Sequence, residues 1–103
     1  MKKGDIYIHT ASGGLYTYIG IATTIQHISD NNRSYIAKHE ETGEEVNIAV
    51  WALNVYVSML DHPTVLYKSH KDGQLWARPV DKFFGNNDYG AKRFMLYNPG
   101  EPQ

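Results

Sequence analysis

Rings and cations recur together in this chain. Tyr16, Tyr18, Tyr67 and Trp76 fall in segments rich in strand-forming residues, and Arg78, Lys82 and Arg93 lie close to them in sequence or in expected strand pairing. Rings set along a curved sheet can stack a planar heterocycle. Arginine forks grip phosphate or carboxylate through two parallel hydrogen bonds. Together these groups suit a small anionic, nucleotide-like ligand, with Trp76 and Tyr18 on the base and Arg78 and Arg93 on the phosphate. The same residues also have an ordinary use: aromatic side chains are common on half-buried strands, and Arg78 can pair with Asp81 or a glutamate. The residue types leave both uses open.

Catalytic constellations are weaker. The five histidines, His9, His27, His39, His62 and His70, show no i, i+4 spacing, and the chain has no cysteine to complete a zinc set. No metal site, no cofactor and no catalytic residue is expected. There is no Gly-x-Ser-x-Gly elbow, and Ser12-Gly13-Gly14 is too short for a phosphate loop. Glu40, Glu41, Glu44 and Glu45 flank Gly43 and read as a solvated turn rather than an acid–base pair. The expected activity is binding, not turnover.

The elements that must position these groups are short. Turn residues at Ser12-Gly13-Gly14, Asp30-Asn31-Asn32, Glu41-Thr42-Gly43, Asp61-His62-Pro63, Lys71-Asp72-Gly73 and Gly85-Asn86-Asn87 cut the chain into brief pieces. The pieces 5–9, 15–24, 34–39, 64–69, 75–78 and 93–97 are rich in Tyr, Ile, Val, Thr and Trp and read as strands. The fold class is therefore mainly β: a small SH3-like barrel or a strongly bent antiparallel sheet, since closure removes exposed edges. Lys71-Asp72-Gly73 joins Tyr67 to Trp76 as the clearest hairpin. Proline at 79 has no N–H, so the strand ending Trp76-Ala77-Arg78-Pro79 drops its ladder there and delivers Arg78 beside a chain reversal.

Residues 46–60 form an apolar insertion of undecided type, with 12 of 15 side chains apolar. Thr42 and Glu45 have the form of a helix capping box, whereas a tight turn with Gly43 at positive φ would start a hairpin with 34–39. The hairpin is preferred to about Val50, and 51–60 stay open between strand and helix. The segment is too short to span a bilayer, which takes roughly 20 apolar residues, so no membrane association is expected. Its apolar surplus suits either a lid over its own core or a homo-oligomer contact.

One domain is expected over 1–97, with the insertion spanning 23–63 and a loose tail at 98–103. Ten Lys+Arg against eleven Asp+Glu give a net charge of −1, which argues against nucleic acid as a partner. The absence of cysteine and of a signal-type N-terminus points to the cytoplasm.

Gly4-x-x-Tyr7-x-His9, Tyr16-x-x-x-Gly20-x-Ala22, the Val65 to Tyr67 stretch, Trp76-x-Arg78-Pro79-x-x-x-Phe83 and Arg93-Phe94 occur in that order. In these pieces the chain resembles a family of small bacterial and phage domains of unknown function, marked by Gly-x-Tyr-x-His and Trp-x-Arg-Pro-x-x-x-Phe motifs. The likeness covers about half the chain and lapses over 23–63. It implies a compact β-domain and carries no catalytic residues. Phage proteins of this size and build sometimes act as sponges that sequester nucleotide-derived immune signals, the host cytoplasm being their setting. The leading expectation is such a sponge; the alternative is a protein- or nucleic-acid-interaction module of SH3-like type.

Overall fold

The computed structural model describes residues 2–26, 33–40, 42–52, 55–86 and 92–97. The tail at 98–103, the turn at 30–32, and His27, Glu41, Asn54 and Asn87 lie outside the described residues. Among the described residues, eight strands and one short helix follow in the order β1 (Ile6–His9), β2 (Leu15–Thr24), β3 (Arg33–His39), β4 (Glu45–Ala52), β5 (Val55–Ser58), β6 (Thr64–Ser69), β7 (Leu75–Pro79), α1 (Val80–Phe84) and β8 (Phe94–Leu96).

The apolar run at 46–60 is strand over 46–52 and Val55–Ser58 and bends at Met59 and Leu60. β4 pairs antiparallel with β3, from Lys38 opposite Glu45 to Arg33 opposite Val50, and then with β5. Thr42 caps no helix: its Oγ1 accepts the Glu44 N–H at 3.2 Å inside the turn, and Gly43 takes a φ of +73° that a side chain would resist. The hairpin at Gly73 (φ +72°) uses the same device.

Closure runs β5-β4-β3-β7-β6-β2, with β2 returning to β5 to complete a six-stranded barrel. The sheet is mainly antiparallel, as expected, but two of the pairings that close the barrel, β3–β7 and β2–β5, are parallel. Both join strands far apart in sequence, where no hairpin imposes an antiparallel return. β1 and β8 extend the sheet outside the barrel: β1 pairs with the first part of β2, and β8 pairs with β1.

β2 belongs to both parts. Ten residues long, it gives Leu15–Thr17 to β1 and Ala22–Thr24 to β5, while β6 runs along its other edge. Its register against β6 shifts between Tyr18 and Gly20. That bulge keeps Tyr16, Tyr18 and Ile21 on one face and turns Ile19 and Ala22 to the other. A Cβ at Gly20 would lie 3.0 Å from the Tyr56 ring, so any larger residue there would make that ring give by a few tenths of an ångström where β2 approaches β5.

Two cores result, one on each side of the shared wall. Ala22, Ala37, Val46, Ile48, Tyr56, Leu66 and Ala77 fill the barrel. Tyr7, Tyr18, Val65, Tyr67, Phe83 and Phe94 form a second core on the outer surface of β1, β2, β6 and β7. The chain reversal after Pro79 is the helix α1, which no periodic pattern announces in five residues. Its Val80 N–H bonds the Pro63 carbonyl at 3.3 Å, and it buries Phe83 completely.

Candidate functional site

The ring-and-cation set gathers on the outer face of the shared wall. Tyr16 meets Tyr67 edge-on at 5.3 Å and Phe94 at 5.8 Å, and Tyr18 meets Tyr7 at 6.3 Å. Trp76 packs half-buried against the same cluster. Tyr67 is only 1% exposed, and its hydroxyl has no hydrogen-bond partner among the described residues. Burial pushes the Tyr7, Tyr16 and Tyr18 hydroxyls above the ordinary phenol range.

Arg78 stands at the edge of this core. Its Nε donates to Glu40 Oε2 at 2.7 Å, a second guanidinium nitrogen pairs with Oε1, and the group lies 5.2 Å from the centre of the Phe94 ring. Of the partners the sequence offered, Asp81 or a glutamate, Arg78 takes the glutamate. Glu40 is drawn off the solvated turn because its N–H bonds the Ala77 carbonyl at 2.9 Å, which brings it alongside β7. Arg93 is half-buried, and its Nη1 donates to the Lys82 carbonyl at 3.3 Å, while the Lys82 side chain is exposed.

His9 completes this edge. Its Nδ1 is 2.9 Å from Ser12 Oγ, and its ring tilts against Phe94 at 4.9 Å. Burial foremost, then Arg78, holds its pKa below 6.5; Glu40 opposes them, and Arg93 adds a smaller push downward. The neutral ring is therefore the one the folded state prefers. Stability from this group is present at neutral pH and is lost as pH falls through 6.5 towards the folded value. An NMR titration should give His9 a midpoint under 6.5, and a midpoint raised above it would show that Glu40 governs the ring.

A concavity opens at the opposite side of the wall. β3 touches β7 only at Lys38 and His39, opposite Trp76 and Ala77. Its earlier residues pair with β4 on one edge and have no strand on the other among the described residues. A groove of about 540 Å³ lies between them and the β6–β7 turn. Tyr35 and Ile36, both exposed, line one side, and Asp72, Gly73, Gln74 and Leu75 line the other. The floor reaches Ile19, Ile48 and Leu66 of the barrel core. Lys68 stands at the groove, as does Lys3, whose Nζ donates to the Tyr56 hydroxyl at 3.1 Å and lies 5.8 Å from that ring's centre.

Lys68 and Asp72, Gly73, Gln74 and Leu75 belong to the Tyr67-to-Trp76 hairpin read from the sequence, but no groove residue is among the ring-and-cation set singled out there, and Tyr35 and Ile36 of β3 lie outside both. The signal for them was adjacent apolar residues in β3: Tyr35 and Ile36 must point to opposite faces, so one of them is apolar on a face the alternation would leave polar. No family model, curated protein or solved structure matches the chain.

Among the described residues, no helix is long and apolar enough to cross a membrane.

Proposed function

We propose that this protein is a binding domain that holds a small anionic ligand, unchanged, in the groove between β3 and the β6–β7 turn. The observation that carries this reading is the union of an apolar floor reaching Ile48 and Leu66 with two rings, Tyr35 and Tyr56, and two cations, Lys3 and Lys68. Its volume of about 540 Å³ falls in the range of small-molecule sites, about 300–1,000 Å³. The groove is preferred to the Tyr16–Arg78 face because Arg78 is already neutralised by Glu40 and Tyr67 is buried.

In its finer form the ligand is a nucleotide-derived signal, with a base against Tyr35 or Tyr56 and phosphate on the lysines, and the protein is a phage-type sponge acting in the host cytoplasm. Trp51, Val55 and Met59 remain exposed on and after the β4–β5 hairpin and supply the contact for the homo-oligomer that belongs to this reading.

A panel of cyclic nucleotides and ADP-ribose derivatives should include at least one that raises the melting temperature and is recovered intact after heat release. Lys68→Glu should weaken that ligand at least tenfold and leave the melting temperature of the free protein unchanged. Absence of a shift with every compound would reject the nucleotide, and a chemically altered product would make the protein an enzyme.

One observation favours a second reading. The edge of β3 beside the groove, which pairs with no strand among the described residues, offers backbone donors and acceptors to an extended peptide, the strand-addition mode of a protein-interaction module. Protection of β3 amides by a peptide but by no nucleotide would select it.

A further inference from the structure

At the other end of β3, two histidines far apart in sequence meet. His39, the last residue of β3, shares a face with Ala37 by strand alternation and is buried, 5% exposed. Its backbone is fixed by the adjoining turn, with its N–H bonded to the Glu44 carbonyl at 2.8 Å and its carbonyl to the Gly43 N–H at 2.7 Å. His62 lies in the turn between β5 and β6, with its side chain partly open to solvent. The two rings are perpendicular, their centres 5.6 Å apart, and their Nε2 atoms are 3.4 Å apart.

Asp61 decides which nitrogen of His62 is bare. Its Oδ1 is 2.6 Å from His62 Nδ1, so in the neutral ring the proton sits on Nδ1 and the Nε2 lone pair faces His39. A carboxylate behind a histidine in this way is the arrangement that orients metal-ligating imidazoles. The 3.4 Å separation is that of a long N–H···N hydrogen bond, His39 Nε2–H facing the bare His62 Nε2, and this proton must leave Nε2 when a metal binds. The separation matches an edge of a tetrahedral zinc site, in which two nitrogens about 2.0–2.1 Å from the metal lie roughly 3.3 Å apart.

We propose that His39 and His62 bind a zinc(II) ion through their Nε2 atoms, with Asp61 orienting His62. Among the described residues no group of three or more ligand-type side chains could hold a metal, so the pair supplies two positions and water the remainder. The site is open on the His62 side and is reached from solvent. Its function is to tie the end of β3 to the β5–β6 turn, a closure that the sequence hides because its two halves are 23 residues apart.

Calorimetric titration of the full chain with zinc chloride, followed by NMR of the histidine rings, tests this. One equivalent should bind with micromolar affinity, and the His39 and His62 ring signals should move while those of His9 and His70 stay in place. His62→Ala, on a partly exposed turn, should fold normally and bind at least tenfold more weakly, and His9→Ala should bind as the parent does. Zinc binding of equal strength in His62→Ala, ring shifts confined to other histidines, or no binding at millimolar zinc would each overturn the assignment.

Discussion

Phe83→Ala is expected to remove about 3–5 kcal/mol of stability, the cost of emptying a fully buried phenylalanine site. Phe83 stacks on Phe94 at 4.2 Å with 12° between the rings, and meets Tyr7 at 5.4 Å and Tyr67 at 5.3 Å. It is also the only buried residue of α1. A helix of five residues cannot sustain itself in water, so its attachment depends on this ring. The loss is a large part of the about 5–15 kcal/mol that holds a typical domain together. Urea denaturation followed by tryptophan fluorescence measures it, and Phe83→Leu should cost less because it leaves a smaller cavity. A cost under about 1 kcal/mol for Phe83→Ala, the range usual for surface substitutions rather than core truncations, would show that the outer core adds little.

Arg78→Ala should be the second most damaging change, at about 2–3 kcal/mol. Breaking a well-buried ion pair costs about 3–5 kcal/mol, but the Glu40 side chain is 30% accessible and water screens part of that. The variant strands the carboxylate and strips the cation from Phe94. Glu40→Gln should cost less, since the amide still accepts a hydrogen bond. A double-mutant cycle between the two should show coupling of about 1 kcal/mol or more. Ligand affinity in the groove should survive Arg78→Ala once the variant is measured below its melting range. If instead the fold holds and affinity vanishes, Arg78 belongs to the binding site and the groove does not stand alone.

The strands were legible because each carries its own signal. β-branched and aromatic residues between turn signals mark β1, β2, β3, β6, β7 and β8 to within a residue or two, and Gly43 and Gly73 take the positive φ their turns demand. Residues 51–60 were not decidable, because a dense apolar run satisfies either period. What joins the strands was less legible. The parallel pairings that close the barrel link β2 to β5 and β3 to β7, and no local pattern in either partner names the other.

The candidate site shows the same division. That Tyr16, Tyr18, Tyr67, Trp76 and Arg78 share a neighbourhood could be read from their strands, and the structure brings them together. That most of them pack into a core depended on Phe83 and Phe94, which arrive from a helix and an edge strand after the hairpin has ended. Glu40 reaches Arg78 across 38 residues. The groove is defined by a strand diverging from its neighbour, a property of relative placement and not of any one residue.

The bulged strand β2 and its neighbour β6 have one more consequence. β6 sends Val65 and Tyr67 to the outer core and Leu66 to the barrel, each almost wholly enclosed. The two halves of this domain therefore share a party wall, and neither could be excised, exchanged with a relative or left to melt while the other persists. A change that loosens the outer rings is felt at the floor of the groove through the thickness of a single strand, which makes a domain with two cores behave as an indivisible one.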